Sequence, residues 1–260
     1  MATEPVSIIV PTYKEAENIP ILTERLFAAF DKAGIPGELI LIDDDSRDGT
    51  EAVAHRLAED HTVRLITRTG ERGLSSAVLR GFEEARHDLL LCMDADLSHP
   101  PESVPDILRP VAENRSEFCI GSRYAPGGVT KDDWGLLRRI NSRGATWLAR
   151  PLTRARDPMA GFFCLRRTTL ERARAAGLNP IGYKIALEII VKAHCRDVVE
   201  VPIVFTDRLH GESKLTFHQQ LLYLGHLVRL YRFRWPVAAP LVALIVAATL
   251  LILPFWLILT

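Results

Sequence analysis

The sequence predicts an α/β fold, a mostly parallel sheet with helices on both faces, and two observations carry that prediction. Short runs rich in Ile, Val and Leu recur along the first half, and amphipathic stretches long enough for crossover helices separate them. Parallel neighbours must be joined in that way, and strands covered on both faces lack a polar side.

In chain order, Ser7–Pro11 reads as a strand, Ile19–Ala33 as a helix, Glu38–Asp43 as a strand and Thr50–Asp60 as a helix. Val63–Thr67 is the third strand, Leu74–Arg86 a helix and Asp88–Met93 the fourth strand. Pro100 and Pro101 open a further helix to about Asn114, because proline is tolerated in a first turn, and Glu117–Ile120 follows as a strand. From Tyr124 the pattern loosens into a Pro- and Gly-containing loop at Ala125–Gly135, and a later strand is expected at Val198–Phe205. Leu215–Phe233 keeps apolar residues near helical spacing among His218, His226, Arg229 and Arg232, the pattern of a helix lying in a membrane interface or of an ordinary surface helix.

Composition narrows the class. A chain of 260 residues with 48% hydrophobic residues can build a proper core, and 32 basic against 32 acidic residues argue against a general nucleic-acid binder. The charges are unevenly placed: residues 1–106 hold 10 basic and 21 acidic residues, leaving 22 and 11 to residues 107–260. That asymmetry fits a cation held in the front half and phosphates or an anionic surface met by the back half. Cys92, Cys119, Cys164 and Cys195 show no zinc-ligand spacing and read as reduced thiols.

Nothing at Met1–Pro11 has the form of a signal peptide, so the folded part is expected in the cytosol. From Pro236 to Thr260 no residue is charged, and a helix there would reach roughly 35 Å against about 30 Å of bilayer hydrocarbon. Arg229, Arg232 and Arg234 on its entry side place the globular part on the cytoplasmic face by the positive-inside tendency. Three parts are expected: a catalytic domain over 1–214, an interfacial helix over 215–235 and a transmembrane segment over 236–260.

Ligands of open α/β sheets bind beyond the carboxyl ends of the strands, so the residues just after each apolar run carry most information. Here these are Asp43, Asp44 and Asp45 after one run, and Asp94, Ala95 and Asp96 after another. Crowded carboxylates repel unless a cation lies between them, and two at a strand end can hold a hard divalent ion while leaving positions for water and phosphates. Neither of the usual glycine-rich phosphate cradles occurs, which leaves phosphate binding to metal and arginine. Arg123 and Arg208 stand out by their positions after strands.

The strings Pro11-Thr12-Tyr13-Lys14-Glu15-Ala16-Glu17-Asn18-Ile19, Ile42-Asp43-Asp44-Asp45-Ser46-Arg47-Asp48-Gly49-Thr50 and Asp94-Ala95-Asp96-Leu97-Ser98-His99-Pro100 resemble family 2 glycosyltransferases of the GT-A fold. Within that family the chain resembles the dolichol-phosphate (polyprenyl-phosphate) mannosyltransferases, with support from Gly121-Ser122-Arg123-Tyr124, Ser142-Arg143-Gly144-Ala145, Asp157-Pro158-Met159-Ala160-Gly161-Phe162 and Arg208-Leu209-His210-Gly211-Glu212-Ser213-Lys214. The resemblance implies that Pro11, Tyr13, Glu15, Ile42 and Asp44 hold the donor nucleoside, and that Asp94, Ala95 and Asp96 lie at the diphosphate. It implies Mg2+ or Mn2+ on Asp94 and Asp96, with Ser98 where some relatives carry a Gln ligand.

By the same resemblance Arg123, Arg208 and Lys214 grip the donor diphosphate, and Lys184, Arg143 and Ser142 meet the acceptor phosphate. Asp157 is expected either to orient the acceptor or to pair with Arg154 or Arg156. The implied activity is an inverting transfer of mannose from GDP-mannose to dolichyl or polyprenyl phosphate at a membrane. UDP-glucose or another donor remains open at this stage, as does a non-catalytic nucleotide-sugar sensor or scaffold.

Overall fold

A computed structural model describes residues 4–130, 144–179, 182, 184–206 and 217–236. The chain divides into two compact units, Met1–Ser213 and Lys214–Thr260.

The first unit is built on a seven-stranded sheet of order β3-β2-β1-β4-β7-β5-β8. Its strands are β1 (Val6–Thr12), β2 (Gly37–Asp43), β3 (Val63–Thr67), β4 (Leu89–Cys92), β5 (Phe118–Ser122), β7 (Phe163–Arg166) and β8 (Val198–Pro202). A two-stranded parallel sheet pairs β6 (Val129–Thr130) with β9 (Val204–Phe205). β7 alone runs antiparallel, between β4 and β5. The helices are α1 (Asn18–Ala33), α2 (Thr50–Asp60), α3 (Leu74–Glu84), α4 (Val104–Ala112, after a 3-10 turn at Pro101–Ser103), a short α5 over residues 144–149, α6 (Arg167–Ala175) and α7 (Ile185–Lys192). In the second unit α8 covers Phe217–Arg234.

Strand alternation sends neighbouring side chains to opposite faces, which explains why the apolar runs are continuous. Ile8, Val10, Leu39, Leu41, Leu89 and Leu91 join Leu22, Leu26 and Phe30 of α1 and Ile107 of α4 in one cluster. Ile9, Ile40, Ile42, Leu90 and Cys92 join Val78 and Phe82 of α3 and Ile189 of α7 in the other. Burying each such side chain contributes about 1.5–3 kcal/mol, so the two clusters hold the sheet rigid between its helix layers. All four cysteines are free, as their spacing implies.

Two departures from the sequence reading have physical causes. The strand expected over Val198–Phe205 is two, because Pro202 has no N–H for the ladder; beyond it the Ile203 N–H donates to the Ser122 carbonyl, and β9 pairs with β6 instead. β7, α6 and α7 lie in the stretch whose pattern had loosened, and β7 is only four residues long. The segment expected to cross the membrane lies outside the described residues from 237 onward. Among the described residues no helix is long and apolar enough to cross a membrane.

Candidate active site

β1 connects outward to β2 and β3, whereas β4 lies on its other side, so the strand order reverses between β1 and β4. The carboxyl ends of these strands flank the crevice where open sheets bind ligands. Four of the six non-glycine residues with positive φ among those described follow these ends: Lys14, Asp45, Arg47 and Leu97, at 60°, 54°, 52° and 62°. Left-handed backbone at such residues costs on the order of 1 kcal/mol or more each, and functional sites are where it concentrates.

At the ends of β1 and β2 a cleft of about 580 Å³ is lined by Tyr13, Lys14, Asp45, Ser46, Arg47, Asp48 and Arg72. The Arg72 guanidinium lies 5.0 Å from the centre of the Tyr13 ring and Lys14 Nζ lies 5.5 Å from it. An aromatic face with flanking donors suits a nucleoside base. Glu15 lies at the opening of α1, where its carbonyl takes the N–H groups of Asn18 and Ile19 and its Oε2 accepts from Asn18 Nδ2 at 2.6 Å. Pro11 is opposite Ile42 in the ladder. Ile42 itself is fully buried in the cluster under α3, so its side chain packs the core and offers no surface to a nucleoside.

The three aspartates at the end of β2 are hydrogen-bonded from within the chain. Asp43 accepts from the Ser46 amide at 2.9 Å and from its hydroxyl. Asp44 takes Nε of Arg68 at 2.8 Å and its Nη2 on Oδ1, and the Gly73 amide at 2.9 Å on Oδ2. Asp45 pairs with Arg47 at 2.8 Å, and hydrogen bonds from that arginine hold its carboxyl below the usual range. Arg68 also reaches Ser76 Oγ and the Gly73 carbonyl, tying β2 to the loop before α3. The sequence reading missed Arg68, although it directly follows the third apolar run.

The β4 end is organised differently. The Asp94 amide donates to His99 Nδ1 at 3.0 Å, so that nitrogen carries a lone pair and its 3.8 Å approach to Asp94 Oδ2 is not an ion pair. The buried His99 ring stacks on Phe162 with centroids 5.0 Å apart. A Cβ at Gly161 would come within 3.1 Å of Asp94 Oδ1 and 3.3 Å of His99 Cε1, so glycine there leaves room for the carboxylate. Asp96 Oδ1 accepts the Ser98 hydroxyl at 2.6 Å and its amide at 3.1 Å, while Ala95 packs in the core. The Asp94 side chain retains 32% exposure.

Cations face this end from β5 and α7. Arg123 makes a fork to Asp157, Nε to Oδ2 and Nη2 to Oδ1 at 2.8 Å each, and its amide adds a third bond at 3.2 Å. Asp157 is fully buried, and the amides of Arg156 and Asp157 both donate to Glu200 at 2.9 Å. Asp157 therefore pairs with Arg123, not with Arg154 or Arg156, and both its oxygens are engaged by that arginine. Lys184 caps α7, and its ammonium is pushed down to about 8, first by burial and then by the Arg123 charge, against the pull of Asp157 and Asp94. Arg143, Ser142, Arg208 and Lys214 lie outside the described residues.

The donor set of Asp94 and Asp96 is hard oxygen, which fits Mg2+ or Mn2+ by chemical type. Among the described residues no three His, Cys, Asp or Glu side chains converge as a closed metal site. A site of two carboxylates completed by phosphate oxygens and water is compatible with that.

A doubly covered, mostly parallel sheet with acidic strand ends facing cations is a scaffold suited to a phosphorylated ligand, and the comparisons supply the class. Residues 7–172 match Glycosyl transferase family 2, and the chain belongs to that family as a glycosyltransferase. It is 45% identical over 262 residues to a protein of Mycosarcoma maydis called dolichol-phosphate mannosyltransferase, covering 98% of this chain and 88% of that one. A Saccharomyces cerevisiae protein with the same name is 46% identical, with 88% of each chain covered. The fold is GT-A-like: mannosyl-3-phosphoglycerate synthase from Rubrobacter xylanophilus superposes with a TM-score of 0.66 at 19% identity, over 88% of this chain and 74% of that one. Glucosyl-3-phosphoglycerate synthase from Mycobacterium tuberculosis, in complex with Mn2+, UDP and glucosyl-3-phosphoglycerate, gives 0.64 at 18%, over 90% and 80%.

Proposed function

We propose that this chain moves mannose from GDP-mannose to the phosphate of a dolichyl or other polyprenyl lipid, with inversion at the anomeric carbon. One observation supports this reading best. Asp94, which with Asp96 follows β4, lies within electrostatic reach of Arg123 and Lys184, in a chain 45% identical to a dolichol-phosphate mannosyltransferase. A site with both signs of charge suits two anionic substrates that must be brought together.

In the reaction an oxygen of the lipid phosphate attacks the anomeric carbon. The bond from that carbon to the diphosphate oxygen breaks, and its electron pair leaves with GDP. A phosphate monoester has a second pKa near ~6, so the attacking oxygen is already largely ionised at neutral pH and no strong base is required. The chain's task is then to hold two like-charged groups in line and to receive the charge developing on the diphosphate. Arg123, fixed by Asp157, and Lys184 supply positive charge, which makes Asp157 a positioning residue.

A divalent cation held by Asp94 and Asp96 would add Lewis-acid stabilisation of the leaving diphosphate. Tyr13, Lys14 and Arg72 would meet the base, with Pro11, Glu15 and Asp44 shaping the wall behind it. Arg143 with Ser142, Arg208 and Lys214 belong to this reading as further phosphate contacts. Residues 1–214 would form the catalytic domain, 215–235 an interfacial helix and 236–260 the span that holds it on the cytoplasmic face beside its acceptor.

The test supplies the protein in membranes with a polyprenyl phosphate, Mg2+ and radiolabelled GDP-mannose or UDP-glucose, and counts label extracted into organic solvent. Lipid-extractable label from GDP-mannose, released as mannose by mild acid, is expected. Label from UDP-glucose alone would overturn the donor, and no transfer from either, or from a wider donor panel, would overturn the reaction.

A further inference from the structure

Ser75 and Ser76 stand side by side in the first turn of α3 and serve different neighbours. The Ser76 hydroxyl belongs to the wall at β2, where it donates to the Gly73 carbonyl at 3.0 Å and accepts from Arg68 at 2.8 Å. Ser75 points elsewhere, because successive helix positions are rotated by about 100°. It is 3% exposed, and its hydroxyl donates to the Gly182 carbonyl at 2.6 Å, across 107 residues of sequence. α3 and α7 contribute to the same apolar cluster, through Val78 and Ile189 among others. A hydroxyl buried beside such a cluster costs free energy unless it is hydrogen-bonded, and Ser75 finds its bond in the turn before α7.

That turn carries a cation to the site. Gly182 has left-handed backbone, with φ at 66°, and lies two residues before Lys184. α7 by itself holds this end loosely. Lys184 makes no side-chain capping bond, and the first helical bond, from the Glu188 amide to the Lys184 carbonyl, is 3.4 Å long. The Asn179 amide donates to Glu188 at 2.9 Å and ties the near side of the turn to its own helix. The Ser75 hydroxyl ties the turn to a different helix, and the start of that helix is fixed at the wall. There the Gly73 amide donates to Asp44 at 2.9 Å, and the Gly73 carbonyl takes the Ala77 amide and Arg68 Nη2 at 3.0 Å each. Asp44, Gly73, Ser75 and Gly182 thus form one short path of hydrogen bonds and helix backbone from the nucleoside side to the turn of Lys184.

We infer that Ser75 is a positioning residue for the acceptor phosphate: its hydroxyl fixes the turn at Gly182 and so holds Lys184 in place beside Arg123 and Asp94. Ser75 acts through Lys184 and touches neither substrate. A serine that belongs by its helix to the donor side therefore governs the acceptor side. The inference rests on the reading of Lys184 as an acceptor-phosphate contact, and its test separates the two.

The full chain in membranes is compared as native, Ser75→Ala and Ser76→Ala. Gly182 is partly exposed, so water can answer its carbonyl in Ser75→Ala and the fold is expected to persist, by melting curve. In Ser75→Ala, KM for polyprenyl phosphate is expected to rise about fivefold to tenfold and KM for the nucleotide sugar to stay within about twofold, with Ser76→Ala showing the reverse preference. Ser75→Cys, close in size with a weaker donor, should fall between native and alanine, which keeps the comparison if the alanine variant is too unstable to assay. A second readout needs no turnover. Lys184 keeps partial exposure, so its acylation by an N-hydroxysuccinimide ester can be timed by peptide mass spectrometry. Acylation is expected to be slowed by polyprenyl phosphate in the native chain and to run several-fold faster in Ser75→Ala. An unchanged rate in Ser75→Ala would overturn the inference whatever the activity. Faster acylation with both KM values unchanged, or with only the nucleotide-sugar KM raised, would overturn the positioning role in favour of a purely structural bond. Absence of protection by polyprenyl phosphate in the native chain would overturn the acceptor reading of Lys184 and the inference with it, whereas a failure confined to the variant overturns the role of Ser75 alone.

Discussion

The carboxyl ends of β2 and β4 carry the same residue type and are organised by different kinds of partner. At β2 every aspartate is answered inside the chain, by Ser46, Arg68 and Arg47. At β4 the turn is set by a neutral histidine and a serine, and the opposing cations come from β5 and α7, where Arg123 is already committed to Asp157. The first end is a finished wall. The second has its turn set by uncharged groups and couples electrostatically, through Asp94, to Arg123 and Lys184, an arrangement that suits a site for metal and diphosphate. Sequence composition alone ranks the two equally; the partners separate them.

Substitutions at the two ends should therefore fail in different ways, and the largest effect belongs to β4. Asp96→Asn is expected to lower turnover about a thousandfold, on the order of 4 kcal/mol, with the folded structure kept. Steady-state transfer with saturating Mg2+, alongside a melting curve, checks it. Next comes Asp157→Asn, which leaves the Arg123 guanidinium enclosed without its counter-charge. A loss of about 3 kcal/mol in stability is expected from chemical denaturation, with part of it recovered when Arg123→Met is combined with Asp157→Leu.

Arg68→Ala probes the wall, where it strips Asp44, Ser76 and the Gly73 carbonyl of their shared partner. About 2 kcal/mol of stability should be lost, and KM for the nucleotide sugar should rise more than kcat falls, because the wall positions the donor without touching the reacting carbon.

The smallest expected effect lies far from both ends. Burial alone would raise the carboxyl of Glu38, yet the Arg86 amide, the Ser7 hydroxyl and Arg64 together hold it below its ordinary value. A depressed carboxyl contributes stability that is complete above the unfolded value near about 4.3 and is lost as pH falls through the folded value. Glu38→Gln should flatten that acid limb and cost about 1 kcal/mol at neutral pH, by melting temperature across a pH series.

Much of the fold was legible because the first four strands are apolar runs whose ends coincide with charge, as at Asp43 and Asp94. The α2 and β3 boundaries match their expected ranges, Thr50–Asp60 and Val63–Thr67. β7 was not legible: four residues inserted between β4 and β5 owe their register to those neighbours and carry little periodicity of their own. In the site, the acidic ends followed from the position rule for open sheets, and the same rule applied to Val63–Thr67 would have found Arg68.

Glu200 and His99 could not be found that way, because each acts through another group: one on the amides at Asp157, the other on the amide of Asp94. Ile42 shows the converse limit, since a residue between two strand-end aspartates and a ladder of apolar neighbours is fixed by alternation to the core face. Proximity of Lys184 to Arg123 and Asp94 likewise depends on the fold bringing α7 to β4, which no local pattern contains.

The contrast between the two strand ends can be tested most directly by metal binding. Mn2+ uptake is read by paramagnetic resonance on the full chain with GDP present, for the native protein, Asp96→Asn and Asp44→Asn. One bound ion is expected for the native chain and for Asp44→Asn, with affinity reduced at least about a hundredfold in Asp96→Asn. Undiminished Mn2+ binding by Asp96→Asn, or its loss in Asp44→Asn alone, would contradict the assignment of the cation to the end of β4.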